Sequence, residues 1–94
     1  MIKSFLDKET EKVYHQQFSK KLPQHIQGIA LRKLIMLDNA TTLNDLRVPP
    51  SNHLEQLQGT KAGRYSIRVN KQYRICFTVT GISDFADVCI EDYH

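Results

Sequence analysis

The chain has 94 residues, a mass of 10.9 kDa, 40% apolar, 9% aromatic and 24% charged residues, and a net charge of +3. This composition describes one small globular domain spanning 1–94, and a chain that buries only about two-thirds of its unfolded surface leaves little room for a deep cofactor cavity. Its apolar runs are too short for a membrane span, and the opening residues Met1 to Phe5 lack the long apolar core of a signal peptide.

The charge is unevenly distributed. Lys12 to Arg74 carries eleven Lys/Arg against three acids, whereas Ile75 to His94 carries four acids and no Lys or Arg. Lys61, Arg64, Arg68, Lys71 and Arg74 fall within Gly59 to Arg74 with no acid between them. Such a block attracts a polyanion, although charge alone fits a solvated basic face equally well.

In chain order, Asp7 is an N-cap for a first helix whose inward face is Leu6, Thr10, Val13, Tyr14 and Phe18, ending near Ser19 to Leu22. A second helix starts at Pro23 and runs to Asp38 or Asn39, with Ile26, Ile29, Ala30, Leu34 and Leu37 inward and Gln27, Arg32 and Lys33 outward. Thr42 and Asp45 have the spacing of a capping box for one further turn. Pro49, Pro50 and Ser51 then break the chain before His53 to Gly63, a long connection and a candidate binding segment.

After Gly63 the period changes to two. Tyr65, Ile67 and Val69 alternate with Arg64, Ser66 and Arg68, and Tyr73, Ile75, Phe77 and Val79 alternate with Arg74, Cys76, Thr78 and Thr80. A third strand spans Phe85 to Glu91, with Ala86, Val88 and Ile90 on its apolar face, and Ile2 to Phe5 is a candidate edge strand. The expected fold is α+β, with two N-terminal helices packed on one face of a small, mainly antiparallel sheet.

If both hairpin strands turn their apolar residues to one core, the shortest matching loop is Asn70, Lys71, Gln72, and Arg68 then stands opposite Arg74 on the outer face. Opposed cations repel by about a few tenths of a kcal/mol. A phosphate would compensate them, and so would Glu91 or Asp87 on the third strand. The terminal Glu91, Asp92, Tyr93 and His94 bring together an acid, a phenol and an imidazole, which suit proton transfer. Cleavage of RNA needs a base for the 2′-hydroxyl, an acid for the 5′-oxygen and cations for charge building on phosphorus. No metal-ligand spacing or phosphate-binding glycine loop is present in the sequence, so no metal or cofactor is expected. Cys76 and Cys89 read as free thiols of a cytoplasmic protein.

The run "GTKAGRYSIRVNKQYRICF" and the terminal "EDYH" resemble the HigB toxins of bacterial type II toxin-antitoxin systems, within the RelE-like superfamily. "MIKSF" and "RKLIMLDNATTLNDLRVPPSNHLEQLQG" extend the resemblance over nearly the whole chain. It implies a microbial-RNase type of α+β fold and an endoribonuclease that cuts mRNA in the A site of the 70S ribosome. It also implies inhibition by a HigA-type helix-turn-helix antitoxin, the inhibited form being a hetero-oligomer, while the small size and polar strand faces lead to the expectation of a monomeric free toxin. Carried onto this sequence, the catalytic residues are His94 as the main acid or base, Asp92 as a second proton-transfer or His-orienting group, Tyr93 as a stacking or orienting group, and Arg74 and Arg68 as transition-state cations. Lys61, Arg64, Lys71 and Gln58 are the expected RNA or ribosome contacts. Some family members carry a catalytic lysine and an upstream His where this chain has Gln58 and Glu55, neither of which replaces a lysine's charge. The alternatives are a noncatalytic toxin that binds the ribosome without cutting, and a basic face that docks an acidic protein.

Overall fold

The structure, a computed structural model, describes residues 1–59 and 63–93. Helix α1 spans Lys8–Tyr14, helix α2 Gln24–Asn39, and the strands are β1 Glu55–Gln56, β2 Arg64–Arg68, β3 Tyr73–Val79 and β4 Phe85–Asp92. The sheet is antiparallel throughout, in the order β1-β2-β3-β4.

Helix α1 begins as its sequence predicts, because the Asp7 carboxylate accepts the Thr10 N–H at 2.7 Å. It ends a turn earlier than the apolar spacing implies. Gln16 adopts φ 62°, its N–H donates to the Val13 carbonyl at 3.0 Å, and the Gln17 N–H reaches back to Lys12 at 2.8 Å. This pairing satisfies the last carbonyls and turns the chain away from the helix axis. Phe18, beyond this turn, is 59% exposed, and Leu6, which precedes the N-cap, is 58% exposed, although both were expected on the inward face.

Helix α2 begins at Gln24, with Pro23 just outside it, and buries Ile26, Ala30, Leu34 and Leu37 completely, with Ile29 packed beside them. Each side chain removed from water in this way contributes about 1.5–3 kcal/mol, with the smaller Ala30 contributing less. Two residues expected outward have inward polar tasks. Gln27 donates to the Ser19 and Leu22 carbonyls and accepts the Ser19 N–H, tying the connection between the helices to α2. Lys33 donates to Asn52 Oδ1 at 2.5 Å, and burial lowers the pKa of its ammonium. Asn52, itself buried, donates to the Leu46 and Val48 carbonyls, so the connection after α2 is pinned to the helix. The expected cap is present: Thr42 and Asp45 form a reciprocal capping box for the 3₁₀ turn Leu43–Arg47.

The hairpin forms in the expected register, Ile67 opposite Ile75 and Arg68 opposite Arg74. In β4 the expectation holds only in part. Cys89 faces Cys76, but Ala86 faces Thr78, because an extra residue is accommodated at Asp87, which adopts φ 51°. This bulge reverses the alternation, placing Phe85 rather than Ala86 in the core. Ile2 and Phe5 make only isolated parallel bridges to Phe85 and Val88, so the N-terminal segment lies along β4 without a continuous strand. It is tied to α2 where the Ile2 N–H donates to Asp38 Oδ1 at 2.8 Å. The helices cover the face bearing Ile67, Ile75, Phe77, Val88 and Ile90, leaving the face with Ser66, Arg68, Arg74 and Glu91 outside the helix-packed core.

Candidate functional site

The outer sheet face carries a shallow pocket of about 280 Å³ lined by Glu55, Arg68, Lys71, Arg74 and Tyr93. The β2–β3 turn builds one wall. Asn70 Oδ1 accepts the Gln72 and Tyr73 N–H groups at 2.8 and 2.7 Å, and this side-chain turn presents the exposed Lys71.

Arg74 is only 6% exposed. Its Nε donates to Ser66 Oγ at 2.8 Å, and Nη2 donates to the His53 carbonyl at 2.6 Å and to the Ser66 carbonyl at 3.3 Å. His53, at φ 45°, turns the chain after the short helical turn Pro50–Asn52, so Arg74 links β3 across β2 to the segment entering β1. Its guanidinium carbon lies 5.9 Å from the Tyr93 ring centroid, a cation-π arrangement. Among the described residues, neither Arg68 nor Lys71 makes a hydrogen bond or ion pair, and no arginine forms an ion pair with Glu91 or Asp87, although Glu91 stands opposite Arg74 across the β3–β4 ladder. Glu91 instead accepts from the Cys89 thiol at 3.3 Å, and Asp87 lies beside Ser4. The opposed arginines therefore have no ion pair with either carboxylate of β4 that the sequence offered.

Tyr93 is held at the pocket edge where its N–H donates to the Gln72 carbonyl at 2.5 Å. Burial raises the pKa of its phenol, more than nearby Arg74 lowers it, so the hydroxyl stays protonated at neutral pH. Asp92 stands elsewhere. It faces Tyr73 across the β3–β4 ladder, one residue out of phase with Glu91 and Tyr93, and accepts from Gln72 Nε2 at 3.1 Å. Arg64 is engaged within the fold, donating to Thr78 Oγ1, the Asp87 carbonyl and Cys89 Sγ. Cys89 and Cys76 are buried free thiols facing each other, and the hydrogen bond with Cys76 raises the pKa of Cys89. Gln58 is exposed just beyond β1. The expectations for Lys61 and His94 lie outside the described residues.

Three further residues complete the site: Ser66 was not singled out by its sequence pattern, whereas His53 and Glu55 lie in the His53 to Gly63 segment expected to bind. Ser66 shares the outer face of β2 with Arg68, so its place was readable from the alternation, but its grip on Arg74 was not. The His53 carbonyl is a backbone group with no side-chain signature. Glu55 is the single acid between Asp45 and Asp84, within the segment that the sequence marked for binding. Among the described residues no group of three His, Cys, Asp or Glu side chains could hold a metal ion, and no helix is long and apolar enough to cross a membrane.

A family profile described as "RelE-like toxin of type II toxin-antitoxin system HigB" matches residues 3–94. Toxin HigB-1 of Vibrio cholerae serotype O1 is 45% identical over 78 residues, which cover 82% of this chain and 82% of that protein. An uncharacterized protein of Haemophilus influenzae is 47% identical over 57 residues, covering 61% of this chain and 56% of its own length. With the α+β fold and the basic sheet face, these similarities establish that the chain belongs to the HigB family of RelE-like toxins of type II toxin-antitoxin systems.

Proposed function

We propose that this toxin is an mRNA endoribonuclease that works in the A site of the translating ribosome, in the cytoplasm, and is restrained by a HigA-type helix-turn-helix antitoxin. An antitoxin partner follows from membership of a type II system; its type, and the ribosome and mRNA as targets, belong to this reading. The observation that carries it is the pocket in which Arg68, Lys71 and Arg74 converge with Tyr93, two of the three cations having no partner among the described residues. The lining sets three cations against the single carboxylate of Glu55, an excess of positive charge that a phosphodiester complements.

In this reading the 2′-oxygen attacks phosphorus and the P–O5′ bond breaks. Arg68 and Arg74 face the nonbridging oxygens, with Arg74 pre-positioned by Ser66 and His53 so that little reorganisation is needed as charge develops. Lys71, Arg64, Lys61 and Gln58 contribute RNA or ribosome contacts. Tyr93 stacks on a base or donates to the 2′-oxygen, consistent with a phenol that stays protonated. His94 is the acid for the 5′-oxygen. Asp92, bonded to Gln72, serves better as the group orienting the terminal residues than as a proton carrier in the pocket.

Gln58, where some relatives have a lysine, favours a second reading in which the toxin occupies the ribosome without cutting. Regulated expression of wild type and His94→Gln in a host lacking the antitoxin separates the two. Growth arrest by wild type with loss of arrest in His94→Gln supports cleavage, whereas arrest by both supports occupancy.

A further inference from the structure

We propose that Cys76 and Cys89 form a dithiol site that a hydroperoxide closes into a cross-strand disulfide, clasping the strand of Arg74 to the strand that leads to Tyr93. The inference is independent of the cleavage reading, because it concerns the folded toxin whichever way it acts. The two cysteines are direct partners across the antiparallel β3–β4 ladder. Such partners hold their Cα atoms about 4.5–5.5 Å apart, inside the range of about 4.4–6.8 Å that a disulfide spans, and their side chains share one face of the sheet. The ladder shifts register immediately beyond the pair, between Cys76 and Thr78, and the bulge at Asp87 lies two residues before Cys89. This irregularity lets β4 adjust where the sulfurs must reach bonding distance.

Core packing does not account for the two thiols. Neither belongs to the apolar cluster that the helices cover. They lie on the outer face, in one row with Ser66, which faces Cys76 from β2. Their surroundings there are polar: Arg64 Nη2 donates to Cys89 Sγ at 3.5 Å, and Glu91 Oε1 accepts from it at 3.3 Å. Arg64 and Glu91 are themselves half-buried surface residues. A cover of such side chains, rather than backbone, admits an oxidant as small as hydrogen peroxide and excludes a bulky one. The pair is also chemically unequal. The Cys89 S–H bonds to the Cys76 sulfur, which lowers the pKa of Cys76 against the opposing effect of burial and raises that of Cys89. Cys76 is thus the thiolate that attacks and Cys89 the thiol that resolves.

The chemistry balances with one hydroperoxide. The Cys76 thiolate bonds to a peroxide oxygen, the O–O bond breaks, and the departing hydroxide takes up the proton that Cys76 had released. Cys76 is then a sulfenic acid. The Cys89 sulfur bonds to the Cys76 sulfur as the S–O bond breaks, and the second hydroxide leaves as water with the Cys89 proton. Two thiols are oxidised to a disulfide, and hydrogen peroxide is reduced to two waters. A thiol reductant reverses the closure by exchange.

The test treats the reduced, full-length toxin with hydrogen peroxide, alkylates any remaining thiols after unfolding, and follows mass and thermal midpoint. Both cysteines lie in one tryptic peptide, because Ile75 to His94 contains no Lys or Arg. In wild type that peptide is expected to become lighter by two hydrogens and to lose both alkylation sites. The protein should stay a single chain on a non-reducing gel, and its midpoint should rise by about 5–15 °C and fall back with dithiothreitol. Cys76→Ser and Cys89→Ser are expected to show neither the mass loss nor the rise. Two thiols still open to alkylation after excess peroxide would overturn the proposal, and so would a disulfide between chains. Closure that occurs only when urea has unfolded the chain, or that lowers the midpoint, would overturn it as well, since the bond would then not belong to the native sheet.

Discussion

Arg68 and Arg74 face each other directly across β2 and β3, but the fold treats them oppositely. Arg74 is buried and held by Ser66 and His53, whereas Arg68 has no polar partner among the described residues. One arginine is a fixed part of the sheet and the other an available cation beside it. A like-charge pair across a ladder is unfavourable for folding, and an anion bound between them reverses that sign.

The asymmetry is measurable in stability. Arg74→Ala removes the donors to Ser66 Oγ and the His53 carbonyl in a buried setting and is expected to cost about 1–3 kcal/mol. Arg68→Ala is expected to stay within about 0.5 kcal/mol of wild type, on the stabilising side if relief of repulsion dominates. Urea unfolding of both variants checks this, and equal losses would contradict the division of roles.

Phosphate contact has its own signature. Binding to single-stranded RNA should weaken with salt, and Arg68→Ala and Lys71→Ala should each reduce the slope of log affinity against log salt by about 0.7. Titration with a 2′-O-methylated oligoribonucleotide, which binds but resists cleavage, isolates this term. Unchanged slopes would remove both side chains from the phosphate path.

Acid should loosen the anchoring of the N-terminal segment. The Ile2 N–H, together with the Tyr14 hydroxyl, holds the Asp38 carboxyl below its ordinary range against the opposing effect of burial. Asp45 is lowered chiefly by the Thr41 hydroxyl and Glu9 chiefly by the Ser19 hydroxyl. With folded values depressed, the unfolded chain binds more protons. Their stabilisation is therefore full above the unfolded carboxyl range of about pH 4 and drains away as pH falls through the folded values. Asp38→Asn is expected to lower stability at neutral pH by about 1–2 kcal/mol and to flatten the acid slope. Urea midpoints from pH 7 to 3 provide the measurement; parallel curves for both proteins would refute the link.

Much of this architecture was legible because it depends on local periodicity. The buried set of α2, the Thr42–Asp45 cap and the three-residue turn that opposes Arg68 to Arg74 all follow from spacing and parity. What escaped depended on departures from it. The end of α1 is set by Gln16 in a conformation that glycine usually marks, and the Asp87 bulge reverses the strand parity without a glycine. Lys33 and Asn52 meet across nineteen residues of chain, and a two-residue strand such as Glu55–Gln56 is too short to alternate visibly. The position of Glu55 beside Ser66 on the outer face therefore follows only from the pairing of β1 with β2.

The central claim is catalytic, and the most direct test is incubation of antitoxin-free protein with labelled mRNA, with and without programmed ribosomes, for wild type and His94→Gln. The account predicts discrete cuts at the A site, made only by wild type and only when ribosomes are present. Tight ribosome binding without any cut would contradict it and leave a toxin that acts by occupancy.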